Sequence, residues 1–128
     1  MKPRSYATDL LKRLFHGGGD VWLSLHGRCP GSSGLQTFGE CDWLGYERVR
    51  VPCTPDYWTV DGFLASNAQE VLFPQCVGRT GHASHFGIGR KRVGDGLVYY
   101  CGPLSGELVI PVHASPLVKP GQLVVEEA

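Results

Sequence analysis

Near the start of the chain, apolar residues recur every three or four positions, which is the spacing of one face of an α-helix. The apolar positions of this stripe are Tyr6, Leu10, Leu11, Leu14 and Phe15. Ser5 precedes the stripe and is a favourable N-cap residue. Three consecutive glycines at 17–19 follow it, and glycine readily adopts the conformation that ends a helix. The pattern therefore predicts one N-terminal helix over residues 5–16.

After the glycines the apolar residues alternate with polar ones, and Gly and Pro interrupt the alternation at short intervals, which is typical of short strands joined by turns. The predicted strands are residues 20–26, 46–51, 57–60, 66–73, 83–89, 97–101, 107–112 and 122–125. In the first of them, Val21, Leu23 and Leu25 are expected to face the core, and Ser24 and His26 the solvent. About eight short strands predict a mainly β fold, an antiparallel, jelly-roll-like β-sandwich over residues 20–126 within a single domain of residues 1–128.

The segment A-S-H-F-G-I-G at 83–89 lies near the middle of this pattern. Alternation places His85, Gly87 and Gly89 on one face of the strand. Two glycines on one face leave room there, so a neighbouring group is expected to approach that backbone closely. A charged turn at 90–96 and the apolar residues 97–101 complete a hairpin. The hairpin is predicted to be structural, with no residue placed for catalysis.

Composition narrows the possible roles. The chain has 128 residues, with 12 basic and 12 acidic side chains and a formal net charge of zero. A balanced charge argues against general nucleic-acid binding. No apolar run of 18 residues occurs, and Lys12 and Arg13 interrupt the only apolar stretch near the N-terminus, so neither a membrane span nor a signal peptide is expected. We therefore expect folding in a reducing cytoplasm, with all five cysteines as thiols. They are Cys29, Cys41, Cys53, Cys76 and Cys101.

Side chains that carry chemistry do not form a recognisable site in this sequence. His82 and His85 would point to opposite faces of one strand, and the cysteines lie 12 or more residues apart, unlike zinc-site spacings. The chain offers Cys, His and carboxylate residues but no arrangement typical of nucleophilic catalysis or glycoside hydrolysis. We therefore predict no catalytic residue, no metal and no cofactor. A small hydrolase or metal-binding enzyme stays as a remote alternative.

Two segments are candidates for partner contacts. The predicted loop over residues 29–45 is longer than a simple connection needs to be, and it contains Trp43 and Leu44. Arg90, Lys91 and Arg92 concentrate positive charge at the predicted hairpin tip. We predict that these five residues contact a partner, with a solvated turn as the alternative for the basic triplet.

Eight short motifs follow one another along the chain. They are D-L-L-K-R-L-F-H-G-G-G, V-W-L-S-L-H, G-Y-E-R-V-R-V, W-T-V-D-G, A-S-N-A-Q-E-V-L-F-P, H-F-G-I-G, L-V-Y-Y-C-G-P-L and L-V-V. In their order and approximate spacing, the chain resembles a family of small structural proteins of tailed bacteriophages, often described as tail-fibre-like. It departs from that family in residues 29–45, where the family usually has an acidic, threonine-rich loop and this chain has cysteines and Trp43.

The resemblance implies a non-enzymatic virion protein. One role is a capsid cement, or decoration, protein that contacts the major capsid protein and copies of itself at the capsid surface, without binding nucleic acid or membrane. The alternative is a tail-fibre or host-adhesion module. Fibre proteins are usually longer, and this sequence has no shaft repeat, so we favour the cement role.

Overall fold

The computed structural model describes residues 3–29 and 34–127. Its first element, the helix α1 (Arg4–Phe15), confirms the predicted N-terminal helix. Ser5 is not its cap, because Pro3 stands at the N-cap and its carbonyl accepts a 3.0 Å hydrogen bond from the Ala7 amide. The glycines end the helix as expected, since Gly18 and Gly19 have φ angles of 87° and 71°.

The buried face of α1 differs from the predicted stripe. Its fully buried side chains are Ala7, Leu11 and Phe15, whereas Tyr6 is 51% exposed. The helix is anchored on the turn at residue 62, where the Thr8 hydroxyl donates to the Gly62 carbonyl at 2.8 Å. Together with the packing of Leu11 and Phe15 in the core, this contact fixes the rotation of the helix, which periodicity alone leaves open within one residue.

Nine strands follow in the described part of the chain. They are β1 (Asp20–His26), β2 (Val49–Pro52), β3 (Trp58–Asp61), β4 (Leu64–Asn67), β5 (Val71–Leu72), β6 (Gly81–Gly89), β7 (Val98–Ile110), β8 (Leu117–Val118) and β9 (Val124–Glu126). They form antiparallel sheets in the orders β2-β1-β6-β7, β3-β4-β9 and β5-β8. The predicted fold class, mainly β with one N-terminal helix, is confirmed.

One hydrophobic core joins the helix and the sheets. It contains Phe15 from α1, Leu23 from β1, Trp58 from β3 and Phe86 from β6, among other buried side chains. The Phe15 and Trp58 rings lie 4.3 Å apart between centroids. Burial of these large side chains supplies the main stabilisation of the fold, at roughly 1.5–3 kcal/mol for each fully buried large apolar side chain.

Three of the predicted strands are divided or joined in the structure. The segment predicted as one strand over residues 66–73 is divided into β4 and β5, because the Asn67 side chain bonds the backbone of Gln69, Lys119 and Leu123 at 2.8–3.0 Å and turns the chain there. The predicted strands 97–101 and 107–112 instead form the single strand β7. Pro103 fits within it because β7 is an edge strand, where a missing amide donor is tolerated.

Candidate functional site

The glycine face of β6 receives side chains, as the sequence predicted. A Cβ added at Gly87 would lie 2.8 Å from both His26 Nε2 and Ser24 Oγ, and one at Gly89 would overlap the Gln36 side chain. Gln36 is fully buried. The two glycines therefore leave space on this face of the sheet for the side chains of Ser24, His26 and Gln36. The segment of residues 34–40, which we call the cover segment, lies over them.

Ser24 and His26 form a buried pair under this cover segment. Ser24 Oγ lies 2.6 Å from His26 Nε2, and His26 Nδ1 lies 2.9 Å from the Phe38 carbonyl. Because a carbonyl only accepts, Nδ1–H donates to Phe38, which leaves Nε2 of the neutral ring as an acceptor for the Ser24 hydroxyl. The same hydroxyl also lies 3.3 Å from the Gly87 carbonyl, so its one proton is positioned between these two acceptors. Burial lowers the pKa of His26, an effect that the Phe38 hydrogen bond and the Glu40 charge partly oppose.

The predicted outward orientation of Ser24 and His26 was wrong, because both side chains are completely buried. The physical reason is that the cover segment lies over this face of the sheet, with Glu40 bridged to His26 and the Cys41 amide bonded to the Leu25 carbonyl at 2.9 Å. A serine hydroxyl bonded to a histidine is the first half of a nucleophile–base arrangement. In this protein the second ring nitrogen of the histidine bonds a backbone carbonyl, and the pair has no exposed surface. These hydrogen bonds therefore hold the cover segment to the sheet.

Arg48 is the central side chain of a second buried network. It is 7% exposed, and its guanidinium donates to both Glu40 carboxylate oxygens, from Nε at 2.7 Å and from Nη2 at 2.9 Å. The Tyr46 hydroxyl donates to Glu40 at 2.6 Å and accepts from the Leu25 amide at 3.1 Å. Burial, followed by the hydrogen bond to Glu40, raises the pKa of Tyr46 well above its usual value. The network joins the cover segment to β1 and to the chain entering β2.

The same guanidinium also holds the turn of residues 90–96, which we call the basic tip. Arg48 Nη1 donates to the Lys91 carbonyl at 3.0 Å and Nη2 to the Gly94 carbonyl at 2.8 Å. From the cover segment, Gln36 Oε1 accepts from the Lys91 amide at 2.9 Å and the Thr37 hydroxyl donates to Asp95. The backbone of the basic tip is therefore held mainly by the buried side chains of Arg48 and Gln36.

The predicted contact residues of the basic tip lie on its outer surface. Arg90, Lys91 and Arg92 are all exposed, and none of them forms an ion pair with any residue in the described part of the chain. Val93 beside them is 73% exposed. A groove of about 340 Å³ runs next to Arg92 and Val93, and the Glu40–Arg48 pair lines it. The tip thus presents three cationic side chains and one apolar side chain on a backbone that is held in place.

Trp43 and Leu44, the other predicted contact residues, are located at the opposite end of β6. Trp43 is half-buried: a Cβ on Gly81 would lie 2.6 Å from its ring, and it contacts Tyr46 edge-on at 5.2 Å. Leu44 is the exposed residue, at 69%. The nine residues of β6 span on the order of 27 Å at about 3.3 Å each. The five predicted residues therefore form two separate surfaces.

The cysteines correct one prediction. Cys29 and Cys101 form a disulfide, with Cα atoms 5.8 Å apart, and only Cys41, Cys53 and Cys76 are free. The expectation of five thiols was wrong because these two residues, 72 positions apart in sequence, become neighbours only in the folded chain. Burial, with the nearby Glu40 and Asp42 charges, raises the pKa of Cys41 to about 12.

The histidines of β6 have separate partners. His82 Nδ1 lies 3.2 Å from Glu107 Oε1, and His85 Nδ1 lies 2.8 Å from Ser84 Oγ. Within residues 3–29 and 34–127, no group of three or more His, Cys, Asp or Glu side chains is arranged to hold a metal ion. The helix of the described chain is also too short and too polar to cross a membrane.

Sequence reasoning identified the exposed residues of the basic tip but missed the side chains that fix it, which are Gln36, Glu40 and Arg48. A pair of glycines on one strand face was a usable signal that a side chain lies there. Arg48 had no such signal, because an arginine in an alternating strand is ordinarily exposed. The cover segment belongs to the predicted loop 29–45, of which residues 30–33 lie outside the described residues.

Comparisons of the chain with protein-family models and with curated proteins found no match.

Proposed function

We propose that this protein is a non-enzymatic structural component of a tailed-bacteriophage virion, and that it acts as a capsid cement protein. The order of its sequence motifs supports the virion role. The observation that carries the cement role is the basic tip, in which Arg48 and Gln36 fix a turn bearing three unpaired cationic side chains.

A fixed tip suits binding to a rigid, repeated surface. Side-chain hydrogen bonds already order its backbone, so less conformational entropy is lost when it binds. The chain has no formal net charge, which makes the cationic tip a local feature that orients the protein toward an acidic surface such as that of a capsid. The 73% exposed Val93 adds apolar contact area at the same point.

The complete burial of the Ser24–His26 pair also supports a structural role. Ser24 and His26, the pair closest to a catalytic arrangement, are completely buried and do not line the groove beside Arg92 and Val93. A substrate would have to displace the cover segment to reach them. Their hydrogen bonds instead stabilise the face of the sheet from which the basic tip projects.

As a cement protein, the chain would stabilise the capsid by binding the assembled lattice in preference to free subunits. Any ligand that binds one state selectively stabilises that state by mass action. Each copy needs only a modest interface, about 800 Å² per partner, because many copies act together on one particle.

A phage lacking this gene distinguishes the two virion roles. If the protein is a capsid cement, the deletion phage assembles, loses infectivity faster on heating and adsorbs to its host at the normal rate. Normal heat resistance with lost adsorption would replace the cement role by the tail-fibre or adhesion role. Normal heat resistance and normal adsorption would reject both roles.

A charge variant tests the basic tip itself. Replacing Arg90, Lys91 and Arg92 with Gln is expected to slow association with capsids and to flatten its dependence on salt. The matched control replaces Lys12, Arg13 and Lys119, which are exposed elsewhere on the surface, with Gln. Both variants lose three positive charges, so an equal effect on association would show that net charge, and not the tip, controls binding.

A further inference from the structure

A second groove lies at the end of the molecule where β6 begins. We call it the end groove; its volume is about 770 Å³, and residues 41–44 and 77–82 line it. Its size falls in the range of sites that receive part of another molecule. It is separated from the basic tip by the length of β6, so a partner in the end groove leaves the tip free.

Two exposed apolar side chains, Leu44 and Val77, lie at the rim of the end groove. Leu44 is 69% exposed and Val77 39% exposed. The two residues are joined by an isolated β-bridge, in which the Val77 amide donates to the Leu44 carbonyl at 2.8 Å. Below them, the half-buried Trp43 has an indole nitrogen that is buried without a hydrogen-bond partner. The same surface thus has both an apolar side chain to insert and a groove able to receive one.

Charges on the end groove point to a specific occupant. Asp42 and Arg79 both line the groove, both are exposed, and neither forms an ion pair with a residue of the described chain. A uniformly acidic or uniformly basic partner would satisfy one of them and repel the other. A second copy of the same surface can satisfy both at once, because in a two-fold contact that places Asp42 opposite Arg79 the reciprocal pair forms as well.

We propose that the end groove is a self-association surface, at which two copies of this chain pair about a two-fold axis. Leu44 of each copy enters the end groove of the other, and Asp42 of each copy lies opposite Arg79 of its mate. The pairing is a property of the purified protein and does not depend on the proposed capsid role. In a virion it would link two copies while their basic tips face away from the shared contact.

The first test is sedimentation of the purified chain over a concentration series up to about 1 mM. At that concentration a dimer with a Kd as weak as about 1 mM is still detected. The expected result is a reversible monomer–dimer equilibrium. Leu44→Asp is expected to raise the dimer Kd by about tenfold or more, as loss of a central apolar anchor does. Leu72→Asp is the matched control, because Leu72 is 60% exposed but lies on β5, outside the groove. A chain that stays monomeric throughout, or equal effects of both substitutions, would overturn the proposal.

A charge exchange tests the two-fold geometry and does not depend on the behaviour of the leucine variants. Asp42→Arg alone and Arg79→Asp alone should each weaken the homodimer, since like charges then face each other twice. Mixing the two single variants should restore dimers as heterodimers, and the double variant should restore the homodimer. Failure of both restorations would show that Asp42 and Arg79 do not face each other. If neither single substitution changes the dimer Kd, the two copies do not pair through this groove.

Discussion

The buried guanidinium of Arg48 joins three parts of the fold: the cover segment, the basic tip and the chain entering β2. Arg48→Met removes two hydrogen bonds to Glu40 and two to the backbone of the basic tip. It leaves the Glu40 carboxylate, whose side chain is only 13% exposed, without its cation. Breaking a buried pair by removing one partner costs about 3–5 kcal/mol. For a chain of this length, such a loss lowers the melting temperature by roughly 10 °C or more.

Two variants separate this effect from general damage. Arg50→Met, two residues further along the chain, removes a 59% exposed arginine whose ion pair with Asp20 is 3.2 Å long. Exposed pairs contribute about 0–1 kcal/mol, so this control should leave stability nearly unchanged. Adding Glu40→Gln to Arg48→Met removes the unpaired carboxylate charge but keeps an acceptor for the Tyr46 hydroxyl. The double variant should therefore recover a large part of the lost free energy of unfolding.

The assay is chemical unfolding, combined with hydrogen exchange at the Lys91 amide, which donates to Gln36 in the folded protein. Arg48→Met should lower the free energy of unfolding and speed exchange at Lys91, because the basic tip loses its internal support. Arg48 does not have this stabilising role if Arg48→Met is no more destabilising than Arg50→Met, or if the double variant recovers none of the lost stability.

Burial of Leu11 and His26 and the pairing of Cys29 with Cys101 each have a measurable consequence. Leu11→Asp should destabilise the protein by several kcal/mol, because Leu11 is fully buried in the core, whereas thermal unfolding of Leu10→Asp should show a much smaller loss. Burial lowers the pKa of His26 below its ordinary 6.5, so the unfolded state binds more protons in acid. Stability should therefore be level above about pH 6.5 and fall below it, and urea unfolding of His26→Gln should show a shallower fall. Thiol titration under denaturing, non-reducing conditions should count three cysteines, and five after reduction of Cys29–Cys101; five without reductant would contradict the disulfide.

Local patterns predicted the elements whose structure depends on local residues. The bounds of β1 were correct because alternating apolar residues lie between a triple glycine and a glycine turn. The helix was found for a similar reason, and its last residue was placed within one position. The hairpin of β6 and β7 followed from an Asp-Gly turn, and its glycine face correctly predicted a close neighbour.

Predictions failed where a distant residue decides the outcome. Asn67 divides a predicted strand because its amide reaches backbone groups about 50 residues away in sequence. Residues 102–103 do not end β7, because an edge strand tolerates proline. The helix face was shifted by one residue because Thr8 is bonded to the turn at Gly62. In each case the pattern was read correctly, but a tertiary contact overrode it.

The candidate site shows the same division. The charge of Arg90, Lys91 and Arg92 and their place at a turn were readable from the sequence, because charged residues in an Asp-Gly turn are exposed in almost any fold. What holds that turn in place was decided by tertiary structure alone: Arg48 is buried only because the cover segment and the basic tip close over it. The sequence by itself thus determined a mainly β chain with one helix and an exposed basic turn. Packing between segments far apart in sequence decided that Ser24 and His26 are buried, that Cys29 reaches Cys101, and that Trp43 and Leu44 lie far from the basic turn.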